Sequence, residues 1–217
     1  MAVTTVADIQ RLAVAKMEED TRTYISIGAG DGQTLRENIE AFKRLRFRPR
    51  ILVDVEKLNT AITVLGRAIS FPVGLSPSAA HKLLNPAGEI GSAKGKAFHH
   101  VFYASRVVSF SMKAAQSAGT VMILSSMSNM TLEDVRAGAP GSLLWQQTYI
   151  FPNRSLTESL VKRAAARGFA AIVVTADSPV SGDGVRRHPY MSRPPRGLRS
   201  GSEDEKQQLL AKVHEFA

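Results

Sequence analysis

Two stretches, Leu143-Leu144-Trp145-Gln146-Gln147-Thr148-Tyr149-Ile150 and Ala170-Ala171-Ile172-Val173-Val174-Thr175-Ala176-Asp177, decide the fold. Each is a strand-length run rich in apolar residues, and the second is dense in β-branched side chains. Between them Leu156, Leu160, Val161, Ala164 and Ala165 recur at helical spacing, and the pattern stops at Gly168. A strand, an amphipathic helix and a strand in that order is the signature of parallel strands joined by a crossover helix. The pattern continues toward the N-terminus, where 71–77 and 120–126 read as two more strands. The fold class is therefore α/β, with about four strand-and-helix units preceded by N-terminal helices.

Helix starts are predicted from the spacing of a capping box, in which a hydroxyl accepts a backbone N–H and a carboxylate three residues on bonds back. Thr34 with Glu37, Ser155 with Glu158 and Ser202 with Glu205 have that spacing. The segment 202–217 places Glu203, Asp204 and Glu205 in its first turn, then Leu209, Leu210, Val213 and Phe216 at helical spacing. It is expected to form a terminal helix. From 178 to 201, Gly182, Gly184, Pro189, Pro194, Pro195, Gly197 and Gly201 break any period, which predicts a long flexible loop. No repeat divides the chain, and residues 1–217 are read as a single domain.

Composition excludes several classes of function. There is no cysteine, so disulfides, thiolate metal sites and cysteine nucleophiles are ruled out. No apolar run reaches membrane-spanning length, and the first helix-like stretch, Val6 to Leu12, is interrupted by charge. A soluble, intracellular protein is expected. The net charge of +9 suits polyanions in general. It is concentrated at Lys43, Arg44, Arg46, Arg48 and Arg50 and again at Arg186, Arg187, Arg193, Arg196 and Arg199. Aromatic residues do not interleave the second cluster apart from Tyr190, which favours a solvated basic surface over a nucleic-acid interface.

The strand ends carry the polar residues. They read Pro77, Ser78 and Ala79, then Ser125 and Ser126, then Gln147 and Tyr149, then Thr175 and Asp177. In an α/β barrel the rim at those ends holds the active site. Alone, a strand-end Gln or Thr is more often a satisfied structural group and a lone Tyr a packing residue; four successive polar strand ends argue the other way.

Six motifs, in order along the chain, resemble glycolate oxidase and its relatives: 24–38, 47–55, 86–93, 120–126, 146–150 and 174–179. The resemblance covers about 8–94 and 114–182. It implies a TIM (β/α)8 barrel that holds flavin mononucleotide (FMN) and oxidises L-2-hydroxy acids, with O2 as acceptor. It implies that Tyr24 binds the substrate carboxylate and that Tyr149 faces the substrate hydroxyl. Pro77, Ser78 and Ala79 would lay backbone against the flavin ring. Ser125, Gln147 and Thr175 would bond its pyrimidine edge, and Asp177 would orient the catalytic histidine. No metal is implied. The partners implied are a small 2-hydroxy acid and O2, without nucleic acid or membrane.

The sequence also departs from that family. The resemblance is to the family's N-terminal half, and the histidine base, the carboxylate-clamping arginine, the lysine beside the flavin and the phosphate site belong to its second half. His188 and His214 do not stand in the family's motif, and Arg186 or Arg187 matches a further family arginine only loosely. Residues 95–113 interrupt what the family has as one helix, since Ala93 and Lys94 would run directly into Ala114 and Ala115. They read either as an extra surface loop or as retained non-coding sequence. His99 and His100 within them are adjacent, so they do not face one point, and no carboxylate neighbours them. The expectation is an incomplete barrel with open edges, impaired or inactive, stabilised by association with another copy. The alternatives are a non-catalytic flavin-bed remnant that associates with a full-length relative, and a basic RNA-binding module. Family members are often peroxisomal through a C-terminal signal; this chain ends Glu215-Phe216-Ala217 without one, so a cytoplasmic place is expected.

Overall fold

The structure is a computed structural model and describes residues 3–94 and 115–176, except the side chains of Asp20 and Tyr24. The expected insertion at 95–113, the loop at 178–201, the helix at 202–217 and the strand-end residue Asp177 lie outside the described residues.

Three helices come first: α1 (Val6–Val14), α2 (Glu19–Ser26) and α3 (Gln33–Arg44). The capping box of this region is at α1, where Thr5 Oγ1 accepts from Asp8 N at 3.2 Å and Asp8 Oδ2 accepts from Thr5 N at 2.9 Å. The box expected from Thr34 and Glu37 does not form. Gly32, at φ 76°, caps α3 instead and places Thr34 already inside the helix. Glu37 then accepts from the Gln33 side chain at 2.8 Å. A β-hairpin follows that the sequence reading missed: β1 (Ile62–Val64) pairs antiparallel with β2 (Arg67–Ile69). Leu65 and Gly66 connect them, both at positive φ, which is the backbone that a two-residue hairpin turn requires.

The main sheet is parallel, in the order β3 (Val121–Leu124), β4 (Leu143–Thr148), β5 (Ile172–Val174). These are three of the four expected strands. The fourth, at 71–77, is reduced to a single parallel bridge between Leu75 and Met122. Leu75 N donates to Val121 O and Ile123 N donates to Leu75 O, both at 2.9 Å. The pairing stops there for a chemical reason: Val73 N, the next donor on that side, bonds Phe71 O at 2.8 Å instead, and Pro77 has no N–H to add to a ladder. Gly74 permits the close approach, since a Cβ there would lie 2.7 Å from Val121 Cγ1.

The crossovers are α6 (Leu132–Gly138) and α7 (Arg154–Ala166). Thr131 caps α6 by accepting from Asp134 N at 3.1 Å. The box expected at Ser155 and Glu158 is also displaced: Asn153 is the cap, and its Oδ1 accepts from Ser155 N at 3.1 Å. Helix α7 ends at the predicted place, with Gly168 at φ 70°. Of the apolar face predicted for it, Ala164 is fully buried and Leu160 packs against the core, whereas Ala165 is exposed.

One face of the sheet meets these helices. Met122, Leu124 and Leu144 pack there with Val135, Ala164 and Phe169. Two short helices, α4 (Gly88–Lys94) and α5 (Ala115–Ala118), complete the layer, so what the resemblance implied as one helix is present as two pieces. Their facing ends, Ala93 and Ala115, are both buried, and Ser142 Oγ donates to Ala93 O at 2.7 Å and lies 3.2 Å from Gln116 Oε1. The described residues thus form an α/β unit with a partial parallel sheet. Among them no helix is long and apolar enough to cross a membrane.

Candidate functional site

Side chains alternate across a strand, so the register fixes what the other face of the sheet carries. Met122, Leu124, Leu144 and Gln146 share the helix-packed face, which leaves Ile123, Leu143, Trp145, Gln147 and Val173 on the opposite one. Continuing the alternation by two residues puts Ser125 and Thr175 on that opposite face as well, at the C-terminal ends of β3 and β5. Gln147 stands between them near the end of β4. The structure therefore brings together three of the expected site residues.

Gln147 is the centre of this arrangement and is 2% exposed. Its Oε1 accepts from Ser126 N at 2.8 Å and its Nε2 donates to Thr175 Oγ1 at 3.0 Å. A backbone N–H can only donate, so the Ser126 contact fixes which end of the amide is oxygen. Ser126 closes the link a second time, its Oγ donating to Gln147 O at 2.6 Å. Ser125 is buried and its Oγ accepts from Met127 N at 3.0 Å. One amide thus ties three consecutive strand ends together.

Beside them runs the 77–80 segment. Pro77 and Ala79 are half-buried, Ser78 is exposed and Ala80 is buried at φ 55°. Ala80 N donates to Met127 O at 3.2 Å, which draws the segment against the loop that follows Ser125. Tyr149, just beyond β4, is half-buried, with its ring 6.4 Å from that of Phe151 in an edge-on arrangement. Tyr24 lies on α2, and nothing of its side chain is described; Asp177 is outside the described residues.

The spare hydrogen-bonding capacity of this cluster suits an aromatic imide such as the flavin pyrimidine edge. Ser125 and Thr175 each retain an O–H to donate, Gln147 Nε2 has a second hydrogen, and Gln147 Oε1 has a second lone pair. Donors for two carbonyl oxygens and an acceptor for one N–H are what such an edge needs. Pro77, Ser78 and Ala79 add small side chains beside it. The residues present fit the group. Apart from the Tyr149 phenol this described part of the site carries no ionisable side chain, and among the described residues no cluster of three or more His, Asp or Glu could hold a metal.

His81 is the one histidine among the described residues, and its Nδ1 lies 2.9 Å from Ser92 Oγ. Sequence reasoning gave no role to two residues that the structure makes important here, Ser126 and Glu89. Ser126 was visible as half of a Ser-Ser pair at a strand end. Glu89 lay within the 86–93 motif with nothing to mark its side chain out.

Comparison with known proteins bears on this geometry. The model of the FMN-dependent dehydrogenase family matches residues 13–209. Glycolate oxidase 3 of Oryza sativa subsp. indica is 40% identical over 177 residues, which cover 82% of this chain and 43% of the relative. Human 2-hydroxyacid oxidase 2 is 36% identical over 198 residues, 91% of this chain and 50% of the relative. Among solved structures, mandelate oxidase with (S)-4-hydroxymandelic acid superposes with a TM-score of 0.71 at 28% identity, covering 85% of this chain and 46% of that one. A flavocytochrome b2 variant with benzoylformate gives 0.69 at 29% identity, with 83% and 42% covered. The chain spans 43% and 50% of the length of these two curated relatives.

Proposed function

We propose that this chain, which belongs to the FMN-dependent dehydrogenase family, supplies the strand-end bed of an FMN site that serves oxidation of 2-hydroxy acids. The partial parallel sheet is then one section of a (β/α)8 barrel. When bound, FMN would accept the two electrons that leave the α-carbon of the substrate and pass them to O2, so that a 2-oxo acid and H2O2 result. The chain's own residues bind and orient. Ser125 and Thr175 donate to the carbonyl oxygens of the flavin pyrimidine edge, and Gln147 offers both a donor and an acceptor to it. Pro77, Ser78 and Ala79 lie along the ring. Tyr149 faces the substrate hydroxyl, Tyr24 holds its carboxylate, and Asp177 orients the histidine that takes the proton; these three roles rest on the resemblance.

The observation that carries the reading is the Gln147 side chain, buried and bonded to both neighbouring strand ends while keeping capacity on both of its polar atoms. A second reading, flavin binding without turnover, is favoured by His81. It is the described histidine, and its ring is engaged by Ser92 rather than set among the strand-end groups. A general base has to lie within hydrogen-bond reach of the proton it removes. Incubating the chain with excess FMN and glycolate, L-lactate or (S)-mandelate while H2O2 is measured separates the two. Peroxide release that depends on substrate supports oxidation, and bound flavin without peroxide supports the second reading. If no flavin binds, both fall. Association with a second copy, through the apolar surface described below, is part of the same proposal; a cytoplasmic place also remains a proposal.

A further inference from the structure

Glu89 has no exposed surface, lies in the first turn of α4, and takes no part in the scheme above. Burying a carboxylate costs free energy that hydrogen bonds offset, and here they offset it at one oxygen, since the buried Oε2 has no partner among the described residues; the groups held by the other oxygen are therefore informative. Both of its bonds are made by one oxygen: Oε1 accepts from His81 N at 3.2 Å and from Asn129 N at 2.9 Å. His81 directly follows the 77–80 segment. Asn129 belongs to the loop that leaves β3, four residues beyond Ser125. The same two loops meet at two further hydrogen bonds, from Ala80 N to Met127 O at 3.2 Å and from Lys82 N to the Asn129 side-chain Oδ1 at 3.0 Å. Between the clamp and the bed stands Ala80 at φ 55°, a left-handed backbone that a residue with a Cβ keeps only where its surroundings over-determine it.

We propose that Glu89 is a positioning residue: its Oε1 fastens the loop carrying Pro77, Ser78 and Ala79 to the loop that follows Ser125, and so sets the spacing between the flat bed and the pyrimidine-edge donors. The consequence for flavin rests on the function proposed above, whereas the clamp itself does not. Because a single oxygen serves both amides, a glutamine can still accept from both, and an alanine from neither.

The test is hydrogen exchange by mass spectrometry on the full chain and on its Glu89→Ala, Glu89→Gln and Val135→Ala variants. Val135, buried in α6, controls for general loss of core packing. In Glu89→Ala, exchange over 79–83 and over 127–131 rises together by roughly tenfold while β4 stays protected, and Glu89→Gln restores most of the protection. Val135→Ala does not single out the two loops. The proposal is overturned if Glu89→Ala loosens one loop alone, if it loosens both only in step with β4, or if Glu89→Gln behaves like the alanine. A parallel titration with FMN reads the consequence: the alanine weakens binding and shifts the bound-flavin absorption, and the glutamine does neither. A wild-type chain that takes up no flavin defeats the proposed function, and the exchange result then still decides the clamp.

Discussion

Gln147 joins three strand ends through one amide, and its substitution tests that directly. Gln147→Leu removes the acceptor of the half-buried Ser126 N–H, which costs about 1 kcal/mol beyond any change in packing. Urea unfolding reads that loss as a lower midpoint at unchanged slope. An ion pair away from the site gives a pH signature. Arg163 donates to both carboxylate oxygens of Glu133, at 3.0 and 2.8 Å, and this hydrogen bonding holds the Glu133 carboxyl below its ordinary value despite partial burial. A lowered carboxylate stabilises the fold above its unfolded pKa, and the contribution is lost as pH falls through the folded value. Glu133→Gln therefore flattens the decline in melting temperature below about pH 4.5, and since the pair is partly exposed the effect is about 1 kcal/mol or less. At this scale much of the site could be read from the sequence. Ser125, Gln147 and Thr175 declare themselves as polar residues that end apolar runs. Ser126 acts through its own backbone N–H on the Gln147 side chain and Glu89 through backbone amides of other segments, and no periodicity reports such partners.

Elements were legible where tertiary context agreed with local pattern. Strands β3 and β4 and helix α7 fall where hydrophobic spacing puts them, because Met122, Leu124, Leu144, Leu160 and Ala164 both set the pattern and fill or border the core; β5 also falls at its expected place, although Ile172 and Val174 are exposed. The 71–77 segment was not legible as a bridge, since its apolar content suits a strand while the Val73 turn and Pro77 end the ladder on the two sides of Leu75. Helix caps were misplaced for a related reason. Thr34 and Ser155 have the right spacing to a carboxylate, but Gly32 and Asn153 start their helices first. Asn153→Ala accordingly costs about 1 kcal/mol of stability, whereas Ser155→Ala costs less, and thermal melts of the pair distinguish the two caps. Gly74→Ala pushes the 71–77 segment off β3, since its Cβ would meet Val121 Cγ1 at 2.7 Å. A destabilisation of about 1–3 kcal/mol is expected, with faster exchange at Leu75 and Ile123.

At the scale of the whole molecule, apolar burial is uneven. Met122, Leu124 and Leu144 lie at 0–1% exposure, while Phe47 and Leu52 are fully exposed and Ile51 and Leu58 are each at 82%. These four belong to the basic and apolar 43–58 region, which runs over the surface without cover among the described residues. Exposed apolar side chains of this kind favour association. Sedimentation is predicted to show species heavier than one chain, increasing with concentration, and a compact monomer at all concentrations would contradict that. The central claim, that the strand ends form a bed for flavin, is tested most directly by titrating FMN with the purified chain and with its Thr175→Val variant while flavin fluorescence is followed. The account predicts saturable quenching by the wild type and at least about tenfold weaker binding by the variant, equivalent to about 1.4 kcal/mol, with circular dichroism unchanged. Absence of saturable binding, or equal binding by the two proteins, would contradict it.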